Sequence, residues 1–130
     1  MPHEAHFLGS PADRLRYAYS DLELARVDRP PKVLFEGLCF HAQQAAEKAL
    51  KAVLIAKGLP APKTHNIRTL LDFLPEQVIP PQEVEDAASL TDYAVISRYP
   101  GDFESVDEEE YKETVRLAEN VVLWAERIIQ

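Results

Sequence analysis

A chain of 130 residues with 46% hydrophobic and 28% charged residues has the size and composition of one water-soluble domain. This excludes a disulfide miniprotein, a collagen-like fibre and a disordered tail. Fourteen Lys and Arg against 22 Asp and Glu give a net charge of −8 and a pI near 4.9, which makes the chain a poor general binder of DNA or of anionic membrane.

The charge is uneven. Residues 1–68 hold ten basic and seven acidic residues, a balance of +3, whereas residues 69–130 hold four and fifteen, a balance of −11. The first half can therefore offer a basic site to a small anion, and the second can meet basic surface on a partner.

Ten prolines punctuate the chain and leave long proline-free segments between them. Proline is tolerated at helix starts and not in helix interiors, so the spacing predicts helices near 11–28, 33–57, 64–74, 82–98 and 107–129. No segment alternates like a strand. The fold class read from this pattern is all-α, an antiparallel up-and-down bundle of four to five helices.

Residues 1–9 carry no cationic region followed by an apolar run, so they read as a flexible tail rather than a signal peptide. The domain then occupies 10–130. Ser10 is placed to cap the first helix, with Pro11 at its first position. Leu15, Ala18, Leu22 and Ala25 form its apolar stripe.

In the second segment two stripes lie side by side. One is Leu38, Ala42, Ala45, Ala49, Val53 and Ala56; the other is Phe35, Cys39, Ala46, Leu50 and Leu54. So wide an apolar surface predicts a central helix, ended by a left-handed Gly58. Cys39, the one cysteine, has no disulfide partner and reads as a small hydrophobe.

Thr64 is expected to cap a short helix carrying Ile67, Leu70, Leu71 and Leu74. The segment Ser89–Arg98 is the weakest helix, because Thr91, Tyr93, Val95 and Ile96 are poor helix formers. The last helix opens on Asp107 and Glu110, a capping-box pattern in an acidic first turn. It carries two stripes, Tyr111–Val115–Ala118–Val122–Ala125–Ile129 and Leu117–Val121–Trp124–Ile128. Part of this double surface is expected to meet a second copy. The apolar runs Ala52–Ala56 and Val121–Ala125 are far too short to span a bilayer, and the chain reads as a cytoplasmic protein.

The chemistry-bearing residues gather on the second helix. His41, Gln44, Lys48 and Lys51 are spaced three, four and three apart, which aligns them on one face. Such a stripe suits a phosphate, with lysines supplying charge while His and Gln orient the ligand or read a base edge. The alternative is a solvated face in which Glu47 and Lys51 form an ordinary ion pair. Lys63-Thr64-His65-Asn66 offers a second cationic position, His65, near a helix start. Arg98 and Tyr99 precede a Pro-Gly turn; the guanidinium can hold a phosphate as a two-pronged donor and the ring can stack a base.

Other chemistries lack their residues. There is no G-x-G-x-x-G and no G-x-x-x-x-G-K-[ST]. His3 and His6 form the only close histidine pair, too few for a metal site. No cofactor is implied and no catalytic residue is assigned.

Phe40-His41-Ala42-Gln43-Gln44-Ala45-Ala46-Glu47-Lys48-Ala49-Leu50-Lys51, then Thr64-His65-Asn66 with Leu70 and Leu71, then Arg98-Tyr99-Pro100 before a long final helix, together resemble the HEPN-domain family of higher eukaryotes and prokaryotes. The resemblance runs from about Asp13 to Ile129. It implies a helical bundle that dimerises and works in nucleotide or RNA transactions. It also implies a small nucleotidyltransferase as partner, in a two-component or toxin–antitoxin-like system.

Many HEPN proteins are metal-independent ribonucleases whose Arg is followed, after four to six residues, by a His. Here the positions after Arg98 hold Phe103, Glu104 and Ser105, so the general base of that motif is missing and its ribonuclease activity is not carried over; the alternatives to nucleotide binding are a degenerate ribonuclease with His41 or His65 as base and a purely structural dimeric interaction protein. Nucleotide binding is carried over, onto His41, Gln44, Lys48, Lys51, His65, Arg98 and Tyr99.

Overall fold

The structure is a computed structural model that describes residues 9–94 and 105–130. Among these residues every regular element is helical. α1 spans Pro11–Ala25, α2 Phe35–Ala56, α3 Ile67–Asp72, α4 Gln82–Glu85 and α5 Glu108–Ile129. α4 runs on as a 3-10 stretch over Asp86–Tyr93, which overlaps the weak segment Ser89–Arg98 over 89–93; residues 95–98 of that segment lie outside the described residues.

The caps follow the sequence. Ser10 accepts from the Asp13 amide, with Pro11 at the start of α1. Gly9 is held against this cap by the Asp13 carboxylate and Arg14; residues 1–8 lie outside the described residues. Asp107 accepts from the Glu110 amide. Glu110 does not complete a reciprocal box; its carboxylate accepts instead from the Tyr93 hydroxyl, which ties the end of the 3-10 stretch to the start of α5.

One cap moves. Asn66, not Thr64, starts α3 by accepting from the Thr69 amide. Thr64 accepts from the Asn66 amide, a local turn that competes with helix and delays its start.

α2 is the central rod. Leu38, Cys39, Ala42, Ala45, Ala46, Ala49, Leu50, Val53 and Leu54 are all buried, so both of its stripes are core along their middle, while at the ends Phe35 is half-buried and Ala56 is exposed. α1 and α5 both pack along it, and small alanines let the three axes approach closely.

Among the three long helices, α1 runs opposite to both α2 and α5, which run the same way, so the strict up-and-down alternation expected from the sequence does not hold for this trio. The Tyr111 hydroxyl donates to the Ala25 carbonyl at 2.5 Å and the Tyr19 hydroxyl to Glu126 at 2.7 Å, which sets α1 and α5 antiparallel. Phe35 stacks near Tyr111 at 5.0 Å between ring centroids, so α2 and α5 start at the same end. The long side chains of α5 find partners inside the chain: Leu117, Val121, Val122 and Trp124 are buried, and Val115, Ile128 and Ile129 pack partly against the same core. Its two stripes therefore do not by themselves require a second copy.

Candidate functional site

The polar face of α2 is built around two carboxylates. Asp21, on α1, is 7% exposed, and Glu47, on α2, is 4% exposed. A buried charge is costly unless it is paired and hydrogen-bonded, and each of these is held by one imidazole and one ammonium.

At Asp21, Lys48 Nζ lies 2.5 Å from Oδ2 and His41 Nδ1 3.0 Å from Oδ1. This hub clamps α1 to α2. Tyr17, 47% exposed, lies beside it with its ring centroid 6.0 Å from Lys48 Nζ. At Glu47, Lys51 Nζ lies 2.9 Å from Oε2 and His65 Nδ1 2.9 Å from Oε1.

The fully buried Gln43 donates to the Glu47 carboxylate at 3.2 Å and to the His65 carbonyl at 3.1 Å. Gln44 donates to the Gln43 carbonyl oxygen at 2.7 Å and, more weakly, to Glu47 at 3.4 Å. This second hub fastens the loop before α3 to the middle of α2. Burial opposes ionisation of Glu47, but hydrogen bonds from Lys51, His65 and Gln43 outweigh it and hold its carboxyl below the ordinary value.

The structure thus brings five of the seven anticipated residues together: His41, Gln44, Lys48, Lys51 and His65 share one side of α2, or join it through Glu47. Arg98 and Tyr99 lie outside the described residues, as do His3 and His6. The stripe is not a row of free cations, because both lysines are already paired. The ordinary Glu47–Lys51 ion pair is present, and it is part of a larger network.

Sequence reasoning missed Asp21 and the burial of Gln43 and Glu47. The signal existed. Gln43 and Glu47 continue the apolar face that Leu50 and Leu54 occupy, and Asp21 sits at helical spacing between the buried Ala18 and Ala25. A polar residue on a core face must bring its partner with it.

The arrangement can do two things chemically. A carboxylate on Nδ1 fixes the imidazole and leaves Nε2 as the ring's other polar atom. The two lysines hold ammonium groups at fixed positions, each beside the carboxylate that pairs it. Among the described residues no cluster of three or more His, Cys, Asp or Glu is set to hold a metal, and no helix is long and apolar enough to cross a membrane.

A model of the HEPN domain matches residues 12–128. The chain belongs to the HEPN domain family. Two solved structures superpose on it. TT1696 from Thermus thermophilus is 30% identical with a TM-score of 0.80, covering 93% of this chain and 99% of its own. ST0689, an archaeal HEPN homologue, is 28% identical with a TM-score of 0.73, covering 93% and 98%. No curated protein matches. The HEPN match spans both carboxylate hubs, so the α2 network lies within the family's fold and not on an appendage to it.

Proposed function

We propose that this HEPN domain binds a nucleotide or another phosphate-bearing ligand on the polar face of α2, through His41, Gln44, Lys48, Lys51 and His65, with Arg98 and Tyr99 belonging to the same set. The reading rests on one observation: two ammonium and two imidazole groups are fixed by buried carboxylates on one side of a single rod, in a chain of net charge −8. Ammonium groups held in place lose little freedom when a phosphate arrives, and preorganisation of that kind favours affinity. Two or three charge-assisted contacts, each of about 1.5–3 kcal/mol, give dissociation constants of roughly micromolar order after the cost of association.

The domain acts, in this proposal, as a homodimer beside a small nucleotidyltransferase, in a toxin–antitoxin-like pair. Exposed Tyr17, Leu24, Val27 and Leu34 on α1 and the α1–α2 loop supply apolar surface for such contacts. Calorimetric titration with ATP, GTP and nucleoside monophosphates tests the binding. Heat is expected from at least one of them, weakened by Lys48→Ala and by added salt; silence from all at millimolar concentration refutes the proposal.

A second reading has its own observation. The Asp21 carboxylate orients His41 as a general base would be oriented, which favours residual metal-independent RNA cleavage. Cleavage that persists in chelator and is lost in both His41→Ala and His65→Ala would establish it.

A further inference from the structure

An apolar groove opens at the C-terminal end of α2. It has a volume of about 370 Å³ and is lined by Leu54, Leu59, Pro60, Pro62 and Phe73. Its origin is local. Gly58, at φ +79°, turns the chain out of α2; the Leu59 amide then donates to the Leu54 carbonyl at 2.9 Å and the Gly58 amide to Ile55 at 3.0 Å. This is the Schellman arrangement, and its usual apolar contact between the third-last helical residue and the second residue past the cap is here Leu54 with Leu59. The two prolines continue the wall, and Phe73, 56% exposed, faces it from the end of α3.

Ligand sites are concave, mostly apolar, and edged by a few polar groups. This groove meets that description because of what adjoins it. Leu54 follows Lys51 by three residues, about 4.5 Å along the helix axis, and the loop that supplies Pro60 and Pro62 continues directly into His65. Residues 48–71 contain Lys48, Lys51, Lys57, Lys63 and Arg68 and no Asp or Glu; Lys48 and Lys51 are paired with Asp21 and Glu47 and Arg68 with Asp72 and Glu85, so the cations that border the groove in sequence are Lys57, just before Gly58, and Lys63, just after Pro62. Such a rim selects a ligand with a flat apolar body and a negative end.

We infer that the groove between Leu54, Pro62 and Phe73 takes the base of a nucleotide whose phosphate is held by Lys51 and His65, so that Phe73 is a specificity-determining residue. This rests on the nucleotide reading given above and assigns the two ends of the ligand. Proline and phenylalanine faces stack on any base without reading its edge, so the groove selects for the presence of a base and is tolerant of which one.

The test is calorimetric titration of the intact chain with adenosine monophosphate and with ribose 5-phosphate, for wild type, Phe73→Ala, Phe73→Trp and Lys51→Met. Phe73 is exposed, and circular dichroism checks that each variant is folded. Wild type is expected to bind the monophosphate at least about tenfold more tightly than ribose 5-phosphate. Phe73→Ala should erase that preference while leaving ribose 5-phosphate unchanged, and Phe73→Trp should restore it. Lys51→Met should weaken both ligands. Equal binding of the two ligands by wild type, or a monophosphate affinity untouched by Phe73→Ala, overturns the groove assignment and leaves the phosphate site standing. Absence of binding by either ligand overturns both.

Discussion

Asp21 and Glu47 are the same chemical device in two settings. Each is a buried carboxylate that joins a lysine to a histidine on the polar face of α2. Asp21 works between helices, with partners twenty and twenty-seven residues away, and both partner side chains stay about one-third exposed, at 34% and 33%. Glu47 works within α2 and onto the following loop, beneath Lys51, whose side chain is only 13% exposed, and against the fully buried Gln43. The first hub is a clamp half-open on both sides; in the second the Lys51 and Gln43 side is desolvated while His65, 70% exposed, stays open to water. Solvent screening separates them: an ion pair open to water contributes little, whereas removal of one partner from a desolvated pair leaves a charge with no compensation.

The largest effect should therefore follow loss of the second hub. Glu47→Ala strands the Lys51 ammonium and takes one of two acceptors from the Gln43 amide, and should cost about 3 kcal/mol in urea unfolding. Asp21→Ala should cost about 1–2 kcal/mol, because Lys48 and His41 can turn to water. Equal losses from the two variants would erase the distinction.

The pH response sharpens it. The Glu47 pKa is lowered on folding, so its contribution is present above the unfolded-state value and is lost as pH falls through the folded-state value. The stability gap between wild type and Glu47→Gln should thus be widest above about pH 5 and close progressively below about pH 4.3. A gap that stays constant to pH 3 would mean that the carboxylate is not held ionised by its neighbours. The smallest effect belongs to Lys48→Met, whose side chain is one-third exposed, with a change of at most about 1 kcal/mol; stability should barely register this variant even though ligand affinity should.

Much of this architecture is legible in the residues alone. The twin stripes of α2 predict a central helix, and Ser10, Gly58 and Asp107 mark three helix ends by their own chemistry. The 3-10 stretch over Asp86–Tyr93 overlaps the segment where the sequence weakens as helix. The site is legible as a list of cations and not as a network. Helical spacing aligns His41, Gln44, Lys48 and Lys51 because that geometry is local. The reach of Lys48 to Asp21 is a tertiary fact, fixed by how α1 docks, and no spacing rule within α2 contains it. The apolar groove is hidden for the same reason, since Phe73 joins Leu54 and Pro62 only once α3 has folded back.

The central proposal is that the polar face of α2 receives a phosphate-bearing ligand. Mapping of backbone amide shifts by nuclear magnetic resonance during titration with adenosine monophosphate tests it most directly. Saturable shifts should concentrate on residues 41–51 and 59–66 and vanish in a Lys48→Met, Lys51→Met double variant. Shifts that scatter over the acidic α4 and α5 surface, or none at millimolar ligand, would contradict it.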